Sequence, residues 1–189
     1  MQPNCRSLPR SFLKAGNETL TGLTVHLTMS ATIDQELIEL AKKSFTGIPE
    51  KDDNHTVAAA VRTRSGQTFV ALNVYHFTGG PCAELAVFGT AAASGVLADD
   101  MTTIVAVARR PSNKFHIANP CGRCRQVMLD YNPNIKVIIK DETGKEAVAR
   151  VRDLVPLAYI WEDGTTGRRE EEAKKALEES AKRVVEIQG

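Results

Sequence analysis

The amino-acid sequence predicts an α/β layered domain with a mixed sheet, because apolar strands and apolar helices alternate along the chain. The continuous apolar run 102–108 is typical of a central strand. Two segments rich in small and aliphatic residues, 82–94 and 121–131, each begin directly after a proline, which suits the first turn of a helix. Both segments are therefore predicted to be buried helices.

The remaining elements follow from local patterns. Segments 56–62 and 68–75 predict a hairpin that turns at Ser65-Gly66, and 136–140 predicts a further strand before a turn at 141–144. A first helix is expected from Thr32, where Thr32 to Gln35 can form a capping box, and it should end at Gly47-Ile48-Pro49. Residues 109–119 are expected to form a polar loop.

The chain of 189 residues is long enough for one domain with tails. Residues 1–28 are expected to be a disordered tail or a targeting segment, and 29–163 the folded domain. Residues 164–189 predict a charged helix with Glu-to-Lys/Arg pairs at i,i+4 spacing, either solvated or docked on a partner subunit.

Composition argues against several classes of function. The net charge is +1, and no Lys/Arg-rich run carries interleaved aromatics, so nucleic-acid binding is not expected. The apolar stretches fall short of the roughly 20 residues of a membrane span, so no membrane association is expected. The cysteine spacing favours metal or redox chemistry in a cytoplasmic protein, although an N-terminal targeting segment stays open.

Two short motifs carry the candidate chemistry, Pro81-Cys82-Ala83-Glu84 and Pro120-Cys121-Gly122-Arg123-Cys124. Cys121 and Cys124 share one face of a helix, near a helix N-terminus that favours thiolate over thiol. Cys82 has the same position on the other helix. Packing the two helix starts together would assemble three thiolates, and three protein ligands with one open position is the pattern of a catalytic zinc. One Zn²⁺ per subunit is therefore predicted.

Glu84 is the predicted catalytic residue. It follows Cys82 by two residues, about 200° around a helix, so it should flank the open position rather than bind the same metal. A carboxyl group there can act as general acid and base. Three thiolates and Zn²⁺ sum to −1, and Arg123 is the candidate for hydrogen bonds to sulfur that offset this charge, or else a surface residue.

These motifs resemble the zinc-dependent cytidine deaminase superfamily. Within it, the run from Asn73 to Leu85, the run from Pro120 to Val127 and the end at Tyr159-Ile160-Trp161-Glu162 are similar to the blasticidin-S deaminase family. The resemblance implies a three-layer fold with a mixed five-stranded sheet between helices, and a homotetramer. It also implies hydrolytic release of ammonia from the cytosine moiety of a free nucleoside or nucleoside antibiotic.

The resemblance also implies the substrate contacts. Thr56 matches a substrate-binding serine, Asn73 an asparagine that contacts the sugar, and backbone groups around Ala83 would orient the base. Tyr159 matches a substrate-contacting tyrosine. Trp161, two residues later, is expected to form part of the pocket wall or to lie at an interface. Tyr75 stands where ordinary cytidine deaminases carry a glutamate for the sugar hydroxyls, which argues for a modified sugar.

Other functions stay open at this point. The 109–119 segment does not align with the family's carboxylate-binding arginine, so the substrate could be another pyrimidine nucleoside. One alternative is a cytidine or deoxycytidine deaminase of pyrimidine salvage. A non-catalytic zinc-binding assembly module and a redox protein using Cys121 and Cys124 are alternatives of other classes.

Overall fold

The structure, a computed structural model, describes residues 32–159. Within this range the chain forms three α-helices and six β-strands, joined by turns and short 3-10 segments. In chain order they are α1 (Gln35–Lys43), β1 (Val57–Thr63), β2 (Thr68–Leu72), α2 (Ala83–Ala93), β3 (Met101–Arg110), β4 (Lys114–Ile117), α3 (Gly122–Tyr131), β5 (Lys136–Lys140) and β6 (Glu146–Arg150).

All six strands belong to one mixed sheet with the order β2-β1-β3-β5-β6 and with β4 also paired to β3. β1 runs antiparallel to both β2 and β3, and β5 runs antiparallel to β6. Only β3 and β5 are parallel, and α3 lies in the connection between them, as a parallel crossover requires. The predicted mixed sheet is confirmed.

The expectation of a polar loop over 109–119 is wrong. Part of this segment forms β4, so the sheet has six strands rather than the five that the resemblance implies. β3 continues to Arg110, turns, and pairs antiparallel with β4 from Arg110↔Lys114 to Val107↔Ile117. The turn needs left-handed backbone at Ser112 and Asn113, with φ of 63° and 51°. Neither residue is glycine, so the sequence lacks the usual signal for such a turn.

The core divides into two layers on the two faces of the sheet. One face packs against α1 through buried side chains that include Leu37, Ile38 and Val105. The opposite face packs against α2 and α3 through others that include Val87, Met128 and Ile104. The sheet therefore lies between helices, as the three-layer prediction requires.

The start of α1 differs from the predicted capping box. The N-cap is Asp34, whose carboxylate accepts a hydrogen bond from the Leu37 N–H at 3.0 Å. The same carboxylate accepts two hydrogen bonds from the Arg62 guanidinium on β1, of 2.5 and 3.0 Å. Asp34 outcompetes Thr32 as the cap because it also pairs with the sheet.

The predicted tail 1–28 and the predicted charged helix 164–189 lie outside the described residues. Among residues 32–159, no helix combines the length and the apolar character that crossing a lipid bilayer demands.

Removing the Asp34 side chain should destabilise the fold by about 1–2 kcal/mol, the usual cost of losing an N-cap. Asp34→Asn keeps an acceptor for the Leu37 N–H and should cost less than Asp34→Ala. The Arg62 hydrogen bonds hold the pKa of Asp34 below its usual value, so this stabilisation is present at neutral pH and is lost as pH falls below about 4. Urea unfolding across this pH range measures the free energy of unfolding of each protein. If Asp34→Asn lowered that free energy by the same amount at every pH, the pH dependence assigned to Asp34 would be contradicted.

Candidate metal and catalytic site

Two helix starts meet on one face of the sheet and carry the three cysteines of the predicted motifs. Cys82 is the N-cap of α2 and Cys121 is the N-cap of α3, while Cys124 lies in the first turn of α3. Neither cap side chain satisfies a backbone N–H group at its helix start. The unpaired N–H groups and the positive end of each helix dipole therefore face the sulfur atoms.

The three sulfur atoms lie close together. The Cys82 and Cys121 Sγ atoms are 3.9 Å apart, the Cys121 and Cys124 Sγ atoms are 3.5 Å apart, and all three fall within 4.8 Å of one another. These separations exceed the roughly 2.0 Å of a disulfide bond. Tetrahedral zinc with Zn–S bonds of about 2.3 Å would hold its sulfurs roughly 3.8 Å apart. The donor set and its spacing therefore fit a zinc ion.

The thiols differ in how readily they ionise in the metal-free chain. Burial raises the pKa of Cys82, and burial followed by the nearby Glu84 charge raises the pKa of Cys124. Burial also acts on Cys121, but the nearby Cys124 backbone N–H and both other thiols bring its pKa below the usual value. A cation entering the site must therefore displace protons from the more buried thiols.

Glu84 lies in the first turn of α2 and is only 5% exposed. Burial raises the pKa of its carboxyl group, and a hydrogen bond with the Cys124 thiol opposes that effect. The carboxyl group thus sits beside the sulfur cluster, and its role as general acid and base stays a prediction.

A small cavity opens beside the sulfurs, and we call it the thiol cavity. Its volume is about 260 Å³, and its walls include Asn73, Tyr75, Cys82, Ala83, Glu84 and Cys121. It is just below the usual size range of ligand pockets, about 300–1,000 Å³. Three residues predicted from the resemblance, Asn73, Tyr75 and Ala83, therefore share one space with Glu84 and with two of the cysteines.

Asn73 has most of its hydrogen-bonding capacity occupied. Its Oδ1 accepts from the Thr56 and Val57 N–H groups at 2.9 and 2.8 Å, and its Nδ2 donates to the Asn54 carbonyl at 2.9 Å. Both acceptor lone pairs are used, so Asn73 retains one N–H for a ligand. Tyr75, by contrast, is 65% exposed at the mouth of the cavity.

A second and larger cavity, the flanking cavity, adjoins the thiol cavity because Val57 and Ala118 line both. Its volume is about 790 Å³, and Thr56 lies here rather than in the thiol cavity. His116 also lines it, and partial burial, with the nearby Arg110 and Lys140 charges, lowers the pKa of His116. His116 lies on β4, a strand that no local sequence pattern predicts.

Arg109 lines the flanking cavity, and its guanidinium is engaged in contacts within the protein. Its guanidinium donates to the Ile48 and Pro49 carbonyls at 2.9 Å each and lies 4.9 Å from the centre of the Phe45 ring. It therefore holds the segment after α1 against β3.

The other predicted site residues lie around this centre. Arg123 Nη1 is 3.5 Å from the Gly80 carbonyl, so the side chain reaches from α3 to the loop before Cys82. Tyr159 is 69% exposed and is held through its carbonyl by Gln126, 2.9 Å away on α3, rather than lining the thiol cavity. Trp161 lies outside the described residues. The sulfur contact of Arg123 and the substrate roles stay predictions.

Two further residues shape the site. A Cβ atom on Gly80 would lie 1.7 Å from the Val74 carbonyl oxygen, so only glycine fits at this position. Arg125 donates to the Pro120 carbonyl at 2.9 Å and to the Leu154 carbonyl at 3.3 Å, which ties the start of α3 to the chain after β6. The Gly79-Gly80-Pro81 run predicts a tight loop at the first position. Arg125 is, next to Arg123, the weaker sequence candidate for a hydrogen bond to sulfur, and its partners are backbone carbonyls that no local pattern indicates.

Comparisons with known proteins agree with this geometry. Blasticidin-S deaminase of Bacillus cereus is 35% identical over 132 residues, which cover 67% of this chain and 91% of the relative. The cytidine deaminase structure from Burkholderia pseudomallei is 29% identical, with a TM-score of 0.55, and the match covers 68% of this chain and 100% of that one. No protein-family model matches the chain.

The fold alone is also shared with a cytidine deaminase from Bacillus anthracis. That structure is 20% identical, with a TM-score of 0.57, over 76% of this chain and 97% of that one. A relative at 35% identity that is matched over nine-tenths of its length shares more than a fold. The chain therefore belongs to the cytidine deaminase-like family, whose blasticidin-S and cytidine deaminases are hydrolases that act on C–N bonds.

Proposed function

We propose that this protein catalyses the hydrolytic deamination of the cytosine moiety of a free nucleoside or a nucleoside antibiotic of the blasticidin-S type. One observation carries the proposal: three sulfurs spaced for a metal ion and a buried glutamate line the same small cavity. The overall reaction exchanges the 4-amino group for oxygen, so water is consumed and ammonia is released.

Cys82, Cys121 and Cys124 would hold one Zn²⁺, and their spacing supports this assignment. When bound, zinc would lower the pKa of a coordinated water to near neutrality and so supply a nucleophile at physiological pH. Each thiol must lose its proton before it binds metal, and two helix N-termini favour that loss.

Glu84 would move the protons. Its carboxylate would take a proton from the attacking water and deliver it to N3 of the ring, which makes C4 more electrophilic. The carboxylate would then take the second proton from the hydroxyl group now on C4 and pass it to the amine, so that the C4–N bond breaks, the C4 carbonyl forms and ammonia leaves. Burial supports this role, because a raised pKa brings a carboxyl group closer to the operating pH of a general acid.

The remaining residues would orient the substrate. Backbone groups around Ala83 would hold the ring, and the one free N–H of Asn73 would donate to a sugar oxygen. Thr56 in the flanking cavity would contact a part of the substrate beyond the ring. Tyr159 and Trp161 are proposed to contact the substrate, and Arg123 to offset the charge of the thiolates.

We also propose that the chain acts as a homotetramer. Tyr75 and Phe77, exposed by 65% and 87%, stand beside the thiol cavity and would be covered by a neighbouring subunit. Light scattering on the purified full-length protein should give four times the chain mass of 20.6 kDa. A monomeric mass would contradict the tetramer without bearing on the deamination.

Glu84→Gln should lower kcat by about 10²–10⁴-fold, the usual contribution of general acid–base catalysis. Zinc content should not change, because Glu84 is not a proposed ligand. Ammonia release and metal analysis on the same samples measure the two effects.

A matched control for this variant is Glu142→Gln, a change in an exposed turn, which should leave kcat unaltered. Full activity in Glu84→Gln would contradict the proposed mechanism. Zinc-loaded wild-type protein without activity on any cytosine compound would favour the non-catalytic zinc module.

The substrate preference can be tested at Tyr75. Tyr75→Glu supplies a carboxylate that can accept hydrogen bonds from sugar hydroxyls. It should raise the ratio of kcat/KM for cytidine over that for blasticidin S about 10-fold, the effect of roughly one hydrogen bond.

Tyr75→Phe serves as the control for loss of the hydroxyl group alone. Absorbance assays with cytidine, deoxycytidine and blasticidin S give the ratios. Efficient turnover of cytidine by the wild type with none of blasticidin S would favour the pyrimidine-salvage alternative.

A further inference from the structure

The chain leaves the sheet and enters the metal-binding helix over a very short distance. The Ala118 N–H still donates to the Ala106 carbonyl of β3 at 2.9 Å, so the sheet holds the chain up to that residue. Cys121 is already the N-cap of α3. Asn119 and Pro120 therefore make the whole change of direction between the sheet and the first sulfur of this helix.

The Asn119 side chain ties this turn to the end of β5. Its Nδ2 donates to the Lys140 carbonyl at 2.8 Å, and its Oδ1 accepts from the Lys140 N–H at 2.7 Å. A primary amide presents a donor and an acceptor side by side, as a peptide group does. The side chain thus acts as one more strand partner at the end of β5.

Pro120 makes this tie effective. The residue before a proline is restricted to extended backbone, so Asn119 has little freedom once its amide is fixed. The Pro120 carbonyl accepts from Arg125 at 2.9 Å, which holds the other side of the turn. The position of Cys121 then depends on contacts that themselves touch no sulfur.

We propose that Asn119 is a positioning residue that holds Cys121 at the right distance from Cys82 for metal binding. The inference rests on the proposed function, because it concerns affinity for the metal which that function requires. Since Asn119 also borders the thiol cavity, a direct contact with substrate is the competing explanation. Metal affinity measured without substrate separates the two.

The test measures zinc binding in the full-length chain by competition with a chromogenic chelator. Asn119→Ala should raise the zinc dissociation constant about 10-fold, since partners that orient metal ligands contribute 10–100-fold. Asn119→Asp places a carboxylate oxygen against the Lys140 carbonyl and should weaken binding at least as much. The absorption spectrum of the Co²⁺-substituted protein should also lose tetrahedral intensity in both variants.

Asn132→Ala is the matched control at the opposite end of α3. Asn132 is buried, and its Nδ2 donates to the Ala98 and Met101 carbonyls at 2.9 Å each. Its loss should lower the melting temperature more than loss of the exposed Asn119 does. Asn132→Ala should nevertheless leave the zinc dissociation constant within about twofold of the wild-type value, because Asn132 is distant from the proposed metal site.

Two results would overturn the inference while leaving the proposed function intact. Wild-type zinc affinity in Asn119→Ala would overturn it, and lost activity alongside that affinity would assign Asn119 to the substrate. If Asn132→Ala weakened zinc binding as much as Asn119→Ala does, the loss of zinc affinity would reflect general destabilisation of the fold. A wild-type chain that binds no zinc would overturn the inference and the proposed function together.

Discussion

The convergence of three sulfur atoms on one point is the constraint on which the rest of the site depends. Thiols held this close repel each other once ionised, and their burial penalises the charged form. Without a cation the arrangement is therefore unfavourable, and the fold must impose it. Two helices packed on one face of a central sheet do so. The predicted burial holds better for α2 than for α3, in which only Cys124 and Met128 are buried.

Precision at the sulfurs comes from the loops that precede the two helices. Gly80 lets the first loop pass against the Val74 carbonyl, where any side chain would collide. Arg123 reaches across from the second helix to the same loop, while Arg125 holds the turn before Cys121. These contacts are made to backbone carbonyls, so they fix the path of the chain. The positions of the three sulfurs are therefore fixed by contacts within the protein.

The sequence predicted the parts of this arrangement that have local signals. Pro81 and Pro120, which come directly before Cys82 and Cys121, mark the starts of two helices. The spacing of Cys121 and Cys124 places them on one face, and an apolar run marks β3. The failures have non-local causes. β4 forms only because β3 is there to pair with it, and its turn uses left-handed residues that are not glycine. Asp34 replaces Thr32 as a cap because Arg62, far along the chain, pairs with it.

Asn73 shows a different limit of sequence reasoning. The motif placed it correctly at the thiol cavity, but its partners could not be anticipated, because Asn54, Thr56 and Val57 approach it only in the folded chain. The structure shows a side chain that already joins two segments and has one N–H left. A residue can therefore occupy the position of a substrate contact while most of its hydrogen bonding stabilises the protein.

Under the proposed deamination, selectivity among cytosine compounds would depend on residues away from the sulfurs. The thiol cavity, about 260 Å³, is smaller than most ligand pockets, and a cytosine ring placed beside the sulfurs would be the same for every such compound. Differences between substrates lie in the sugar and its substituents, which would meet Tyr75 at the mouth and the flanking cavity of about 790 Å³. The wall of that larger space is built by the 48–53 segment, which Arg109 and Glu50 tie to the β3–β4 hairpin. The hairpin is also the region where the sequence departs from the pattern of the blasticidin-S deaminase family. Under the proposed function, the chemistry and the choice of substrate would therefore rest on separate parts of the fold.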